Sequence, residues 1–166
     1  MNIRKMIVMT MFVAIAVVGS IFVSFPAGIA RAYPIQHAVN VIAAVTLGPI
    51  PAVVIAFLTA LIRILTGTGS LLAFPGGMIG ACLAGLLFKQ FGKIWLAGMG
   101  ELIGTGLFAS LFAVPYAKIL MGTSTTALFF LPSFFVSSAS GMLIGIILAT
   151  RLQKTGVLKK MNHLSL

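Results

Sequence analysis

The sequence holds a single acidic residue, Glu101, and no aspartate. That near-absence removes most acid–base enzymology, because no carboxylate pair can form and no Ser–His–Asp set can be assembled. Cys82 is the only cysteine, so an intramolecular disulfide and a thiolate metal site are both excluded. Histidine occurs only at 37 and 163, and a lone His37 with no second His or Cys nearby makes no metal site. Charged residues amount to 7% of the chain, against roughly 25% in a soluble domain. The glycine-rich stretch at 66–77 lacks the GK[ST] of a phosphate-binding loop. The chain is therefore expected not to be an enzyme, to carry no cofactor or metal, and to have no energy source of its own.

What is abundant is apolar: 60% hydrophobic residues and a mean hydropathy of +1.20. This composition predicts a single-domain, all-α integral membrane protein. At about 20 residues per span, six helices would use about 120 residues and leave short loops. The expected spans are residues 6–23, 34–47, 52–65, 77–88, 94–116 and 128–150, followed by a basic tail at 151–166. The second and third stretches cover only about 21 Å each, so they form either two short spans or one re-entrant hairpin. Gly48-Pro49-Ile50-Pro51 is a turn signal between them, and Pro115, Tyr116 and Lys118 mark the outer end of the fifth span. No 20–50-residue repeat indicates an inverted-repeat carrier.

The net charge of +10 has a position as well as a size. Arg4, Lys5, Lys89, Lys93, Arg151, Lys154, Lys159 and Lys160 all fall on one side of a six-span protein. By the positive-inside rule that side is cytoplasmic, which puts both termini there and the chain in the cell membrane. Anionic lipid is a sufficient partner for these charges, and nucleic acid is not required. The apolar run after Lys5 is long for a signal-peptide core, so it is expected to be retained as a span.

Polar side chains concentrate in Phe25–Asn40, FPAGIARAYPIQHAVN, which holds Arg31, Tyr33, Gln36, His37 and Asn40. Pro26, Gly28 and Pro34 interrupt any continuous helix, which predicts a loop feeding a helix near Pro34. Such a loop either connects two spans or lines a cavity. Glu101 falls inside the fifth span among Gly98, Gly100, Gly104, Thr105 and Gly106. An intramembrane acid marks a functional site or a structural partner for Arg63, His37 or a helix end. Arg31, Arg63 and Lys118 are the outer cations; Lys118 is expected to anchor at headgroups, and Arg63, beside the Gly/Thr loop, to serve a site. On the first span, Thr10/Ala14 and Ala16/Ser20 are small residues four apart, a spacing that permits close helix approach.

The strings RAYPIQHAVNVIAAVTLGP, GTGSLLAFPGGMIGA and GELIGTGLFA resemble the ThiW family over roughly residues 5–150. These are substrate-binding S components of energy-coupling factor (ECF) transporters, associated with uptake of the thiamine precursor hydroxyethylthiazole. The resemblance implies a six-helix bundle with a solute pocket near the outer face. It also implies a transmembrane coupling subunit and two cytosolic ATPase subunits as partners. The resemblance implies Arg31, Tyr33, Gln36, His37, Asn40 and Glu101 as substrate-binding residues, and the residues themselves add Arg63 beside the Gly/Thr loop, Phe74 and Thr105 to the expected set. Tyr33 and Phe74 would offer ring faces to a thiazole, Gln36, His37 and Asn40 its hydrogen bonds, and Arg31 would brace the loop. The implied docking residues are Thr10, Ala14, Ala16 and Ser20, although the family's Ala-x-x-x-Ala pattern is not kept, since Val18 follows Ala14. The competing reading is a self-sufficient proton-coupled carrier using Glu101. A membrane enzyme acting on lipid is disfavoured by the missing acids.

Overall fold

A computed structural model of the chain describes residues 2–28, 30–71, 74–122 and 127–158. Its elements in order are α1 (Ile3–Phe22), β1 (Phe25–Ala27), β2 (Ala30–Ala32), α2 (Pro34–Leu47), α3 (Pro49–Leu65) and α4 (Phe74–Phe91). Then come α5 (Ile94–Glu101), a π-helical segment (Leu102–Phe108), α6 (Ala109–Met121) and α7 (Ala127–Lys154). α5, the π segment and α6 run on without a break, so the described residues form six helical rods. Among the described residues, four stretches are long and apolar enough to cross a membrane: Ile3–Phe22, Phe74–Phe91, Ile94–Ile119 and Leu128–Lys154. α2 and α3, of 14 and 17 residues, are shorter apolar helices.

Several boundaries differ from expectation for local reasons. Phe25–Ala32 is a two-stranded antiparallel hairpin rather than an irregular loop, with Phe25 paired to Ala32 and Pro26 to Arg31. Gly28 takes the left-handed conformation (φ +67°) that the tight reversal requires. Between α2 and α3 only Gly48 lies outside a helix, because Pro49 and Pro51 occupy the first turn of α3, where a missing N–H leaves nothing unpaired. α4 begins at Phe74 rather than at 77. Pro115 lies inside α6 instead of ending it. The expected outer turn at 123–126, and Lys159, Lys160 and His163 of the tail, fall outside the described residues.

α2 is the axis of the bundle. Every residue in it except Ile35 is buried, and it packs most extensively on α7, then on α4, α1 and α3. A helix buried on every side belongs inside a protein or a membrane; here protein surrounds α2, and its polar residues Gln36, His37, Asn40 and Thr46 are buried with the rest. Gly141 and Gly145 of α7 permit that contact: a Cβ on Gly141 would lie 2.4 Å from the His37 Cβ, and one on Gly145 2.9 Å from the Val41 Cβ. α1 turns Met9, Val13, Ala16 and Ser20 toward the bundle at helical spacing and leaves Ile7, Met11, Ile15, Val18 and Phe22 outward. The exposed Ile, Phe and Leu side chains of the long helices suit a hydrocarbon surround.

The rods alternate in direction, and the cations sort accordingly. Arg4 and Lys5 open α1, Lys89 lies in the last turn of α4, Lys93 caps α5, and Arg151 and Lys154 close α7, all at one end. The hairpin, Arg63 in the last turn of α3, and Lys118 occupy the other end.

Candidate functional site

The site is assembled at the end of the bundle that carries the hairpin. β2 delivers the chain to Tyr33, which caps α2, and Pro34 sets the first helical φ. Tyr33 N–H donates to Ser137 Oγ of α7 at 2.8 Å, and Ser133 Oγ donates to Ala27 O, so α7 holds both the hairpin and the helix start. From that start, Gln36, His37 and Asn40 fall three or four residues apart on one face of α2.

That face meets Glu101, which is fully buried. Glu101 Oε1 lies 2.8 Å from His37 Nδ1 and accepts from Asn40 Nδ2 at 3.1 Å and Thr105 Oγ1 at 3.0 Å. Asn40 spends its second amide proton on Gly77 O at 3.3 Å, and the Thr105 hydroxyl also approaches Gly76 O at 3.2 Å. The cluster thus ties α2, α4 and α5 to one another. Glu101 Oε2 has no hydrogen-bond partner among the described residues and packs against Gly80, where a Cβ would stand 2.6 Å away. The π segment starts directly after Glu101, and its wide turn is visible where Ala109 N–H bonds Gly104 O, five residues back.

Arg63 makes a second cluster. It is 3% exposed, with its Cζ 3.8 Å from the centre of the Tyr33 ring. A desolvated cation–π contact of this kind is worth on the order of 2 kcal/mol. Arg63 Nη1 donates to Gln36 Oε1 and Nη2 to Thr68 O at 2.7 Å. Its carbonyl accepts the N–H groups of Thr68 and Gly69 at 2.8 and 2.9 Å, so the Gly/Thr loop is wrapped around this one residue. Arg63 Nε is buried with no acceptor among the described residues.

Between the clusters lies a cavity of about 260 Å³. Of the residues expected to bind substrate, Arg31, Tyr33, Gln36, His37, Arg63 and Thr105 line it. Asn40 and Glu101 do not; they stand behind His37 and Thr105 as support. Phe74 is not in the lining either, because its ring meets Phe57 edge-on at 5.2 Å. Arg31 is exposed at the rim and donates to Ser24 O and Oγ, bracing the base of the hairpin. Gly67 to Ser70, Gly76, Ala109, Phe134 and Ser137 complete most of the wall. Ser137 had a signal in the sequence, the serine-rich run of an otherwise apolar span, whereas Phe134 and Ala109 look like any lipid-facing residue.

The small residues of α1 divide. Ala16 and Ser20 are buried against the bundle, and Thr10 and Ala14 face outward. Any partner reaching this helix therefore meets Thr10 and Ala14 amid Ile7, Met11 and Ile15.

Residues 6–155 match the family described as thiamine-precursor transporter protein, ThiW. The chain belongs to the ThiW family. The match takes in the hairpin, both polar clusters and every residue of the cavity. No curated protein matches the chain. A ThiW protein is a thiamine-precursor transporter, which agrees with span-capable helices surrounding a small, largely apolar cavity with a few polar side chains in its wall and implies a small-molecule substrate and a multi-pass membrane protein.

Proposed function

We propose that this ThiW protein is the solute-binding S component of an energy-coupling factor importer, and that its solute is a one-ring, hydroxyethylthiazole-like thiamine precursor. The observation that carries the reading is the cavity itself. At about 260 Å³ it falls below the roughly 300–1,000 Å³ typical of clefts for drug-sized ligands, so it suits one ring rather than two. Tyr33 and Phe134 supply ring surface, and Gln36, His37 and Ser137 supply hydrogen bonds. The hairpin and the Gly/Thr loop stand over it, and exclusion of water by them strengthens those few bonds. No nucleotide-binding motif is present in the sequence, so import draws on a coupling subunit and two ATPase subunits. The coupling subunit meets the outward face of α1 at Thr10 and Ala14. α2 and α3 count as short spans in this reading, giving six.

Calorimetry on the purified chain tests the substrate. Hydroxyethylthiazole binds without nucleotide and more tightly than thiamine, whose second ring overfills the cavity. His37→Ala and Tyr33→Ala each weaken binding by about tenfold, equivalent to about 1.4 kcal/mol, and Lys118→Ala does not. Thiamine binding with no heat from the thiazole overturns the substrate assignment.

The cations support an orientation in the cell membrane with both termini cytoplasmic and the cavity outside. On a Cys82→Ala background, Lys118→Cys is expected to react with an impermeant maleimide in intact cells and Asn2→Cys only after permeabilisation. The opposite pattern inverts the topology.

The buried His37–Glu101 contact favours one second reading, a proton-coupled carrier. Uptake driven by a pH gradient in vesicles free of ATPase partners would establish it; its absence leaves the importer reading.

A further inference from the structure

The charge balance of the cavity is not closed by the protein. Arg63 lines it, is 3% exposed, and keeps its proton in any protein environment because guanidinium is so weak an acid. Its partners are a side-chain amide oxygen, a backbone carbonyl and an aromatic face, all neutral. Glu101 is the only carboxylate side chain in the sequence, and its bonded oxygen is taken up by His37, Asn40 and Thr105. No carboxylate stands within 4.0 Å of Arg63 among the described residues, where the His37–Glu101 contact is the salt bridge found. A second guanidinium, Arg31, stands at the rim of the same cavity, and no acidic residue lines it. A buried cation without a counter-charge is strongly unfavourable, and a ligand that brings the negative charge removes that penalty.

A second observation points the same way. Arg63 Nε is a buried donor left without an acceptor, although Nη1 and Nη2 are both engaged. Ser70 and Ser137 bring further hydroxyl groups to the wall. A cation, an unspent N–H and hydroxyls around a small space suit an oxyanion, which takes several charge-assisted hydrogen bonds at once. A neutral alcohol accepts fewer and leaves the charge of Arg63 uncompensated.

We infer that the cavity contains an oxyanion subsite at Arg63, so that the transported solute carries a carboxylate or phosphate group on its ring substituent. This rests on the reading of the cavity as the site for a one-ring thiazole, and deepens it by assigning the charge of the solute. His37 and Gln36 remain for the ring, and the anion lies toward Arg63 and the Gly/Thr loop.

The test is calorimetric titration of the purified full chain with four probes: hydroxyethylthiazole, its phosphate monoester, the matching thiazole acetate, and inorganic phosphate. At least one anionic thiazole is expected to bind ten times more tightly than the alcohol, with the preference shrinking as salt is raised. In Arg63→Gln, which keeps hydrogen-bonding capacity and loses the charge, the ratio between anion and alcohol collapses toward one, and in Arg63→Lys it is partly retained. Should Arg63→Gln fail to fold, the ratio in the unmodified chain and its salt dependence still decide. Equal or tighter binding of the alcohol overturns the oxyanion subsite and leaves the thiazole reading standing. No binding of any thiazole overturns both. Inorganic phosphate binding as tightly as the monoester overturns the claim that the anion belongs to the solute.

Discussion

Replacing Glu101 by glutamine is expected to lower solute affinity by tenfold or more, equivalent to about 1.4 kcal/mol. The substitution preserves shape, so the effect isolates chemistry. In the native arrangement one carboxylate oxygen faces His37, Asn40 and Thr105, while the other lies against Gly80 without a partner among the described residues. An amide has one acceptor oxygen and one donor nitrogen. With the oxygen toward the three side chains, the new NH₂ is buried near Gly80 with nothing to receive its protons. With the amide turned round, the Asn40 amide nitrogen confronts a donor and Thr105 must swing its proton wholly to Gly76 O. Either arrangement loosens His37, and an unsatisfied buried donor costs about 1–3 kcal/mol. Glu101 does not line the cavity, so it is a positioning residue acting through His37. A double-mutant cycle reads that role: Glu101→Gln added to His37→Ala should weaken binding little further. Unchanged affinity in a folded Glu101→Gln protein would remove it from the site. A proton-coupled carrier would instead keep binding and lose pH-driven uptake.

Gly104→Ala is expected to give the larger loss of stability. A Cβ at 104 would stand 2.5 Å from the Gly80 Cα and 2.7 Å from its nitrogen, backbone atoms that cannot rotate away. The π segment and α4 must therefore separate, and overpacking of this kind costs about 1–3 kcal/mol or more. Gly80→Ala meets softer neighbours, the Thr105 hydroxyl at 2.3 Å and Glu101 Oε2 at 2.6 Å. That variant should hold together better and bind worse, because the groups it displaces support His37 and the cavity wall. Thermal unfolding in detergent, run beside solute titration, separates the two. A Gly104→Ala protein that unfolds at the same temperature as its parent, with α4 still in contact, would sink the close-approach argument.

Much of the architecture was legible because membrane composition is so restrictive. A chain with 7% charged residues makes each charge informative, and the alternation of rods follows from where Arg4, Lys89, Lys93 and Arg151 stand relative to Arg63 and Lys118. The polar run at 31–40 could be singled out for the same reason, as could Glu101 within its glycines. The hairpin was less legible: Phe25–Ala32 is short, carries a proline, and is stabilised by Ser133 and Ser137 from a helix more than 100 residues on. The π segment was equally hidden, since Leu102–Phe108 has no periodicity that differs from the α-helix around it.

The sequence by itself determined a membrane-type chain, the two unlike ends of its bundle, the presence of a single acidic side chain and, through three strings, its membership of the ThiW family. Tertiary structure alone decided which apolar helix lies at the centre. Hydropathy cannot separate burial in protein from burial in lipid, because both solvents accept the same side chains, so nothing in residues 34–47 announces that the five other rods would gather round them. It also decided the pairings. His37 and Glu101 are 64 residues apart, and Arg63 and Gln36 are 27 apart. Such partners are chosen by where helices cross. That crossing depends on Gly80, Gly104 and Gly141, whose missing Cβ atoms let backbones approach, and a glycine's role is defined only by what stands opposite it.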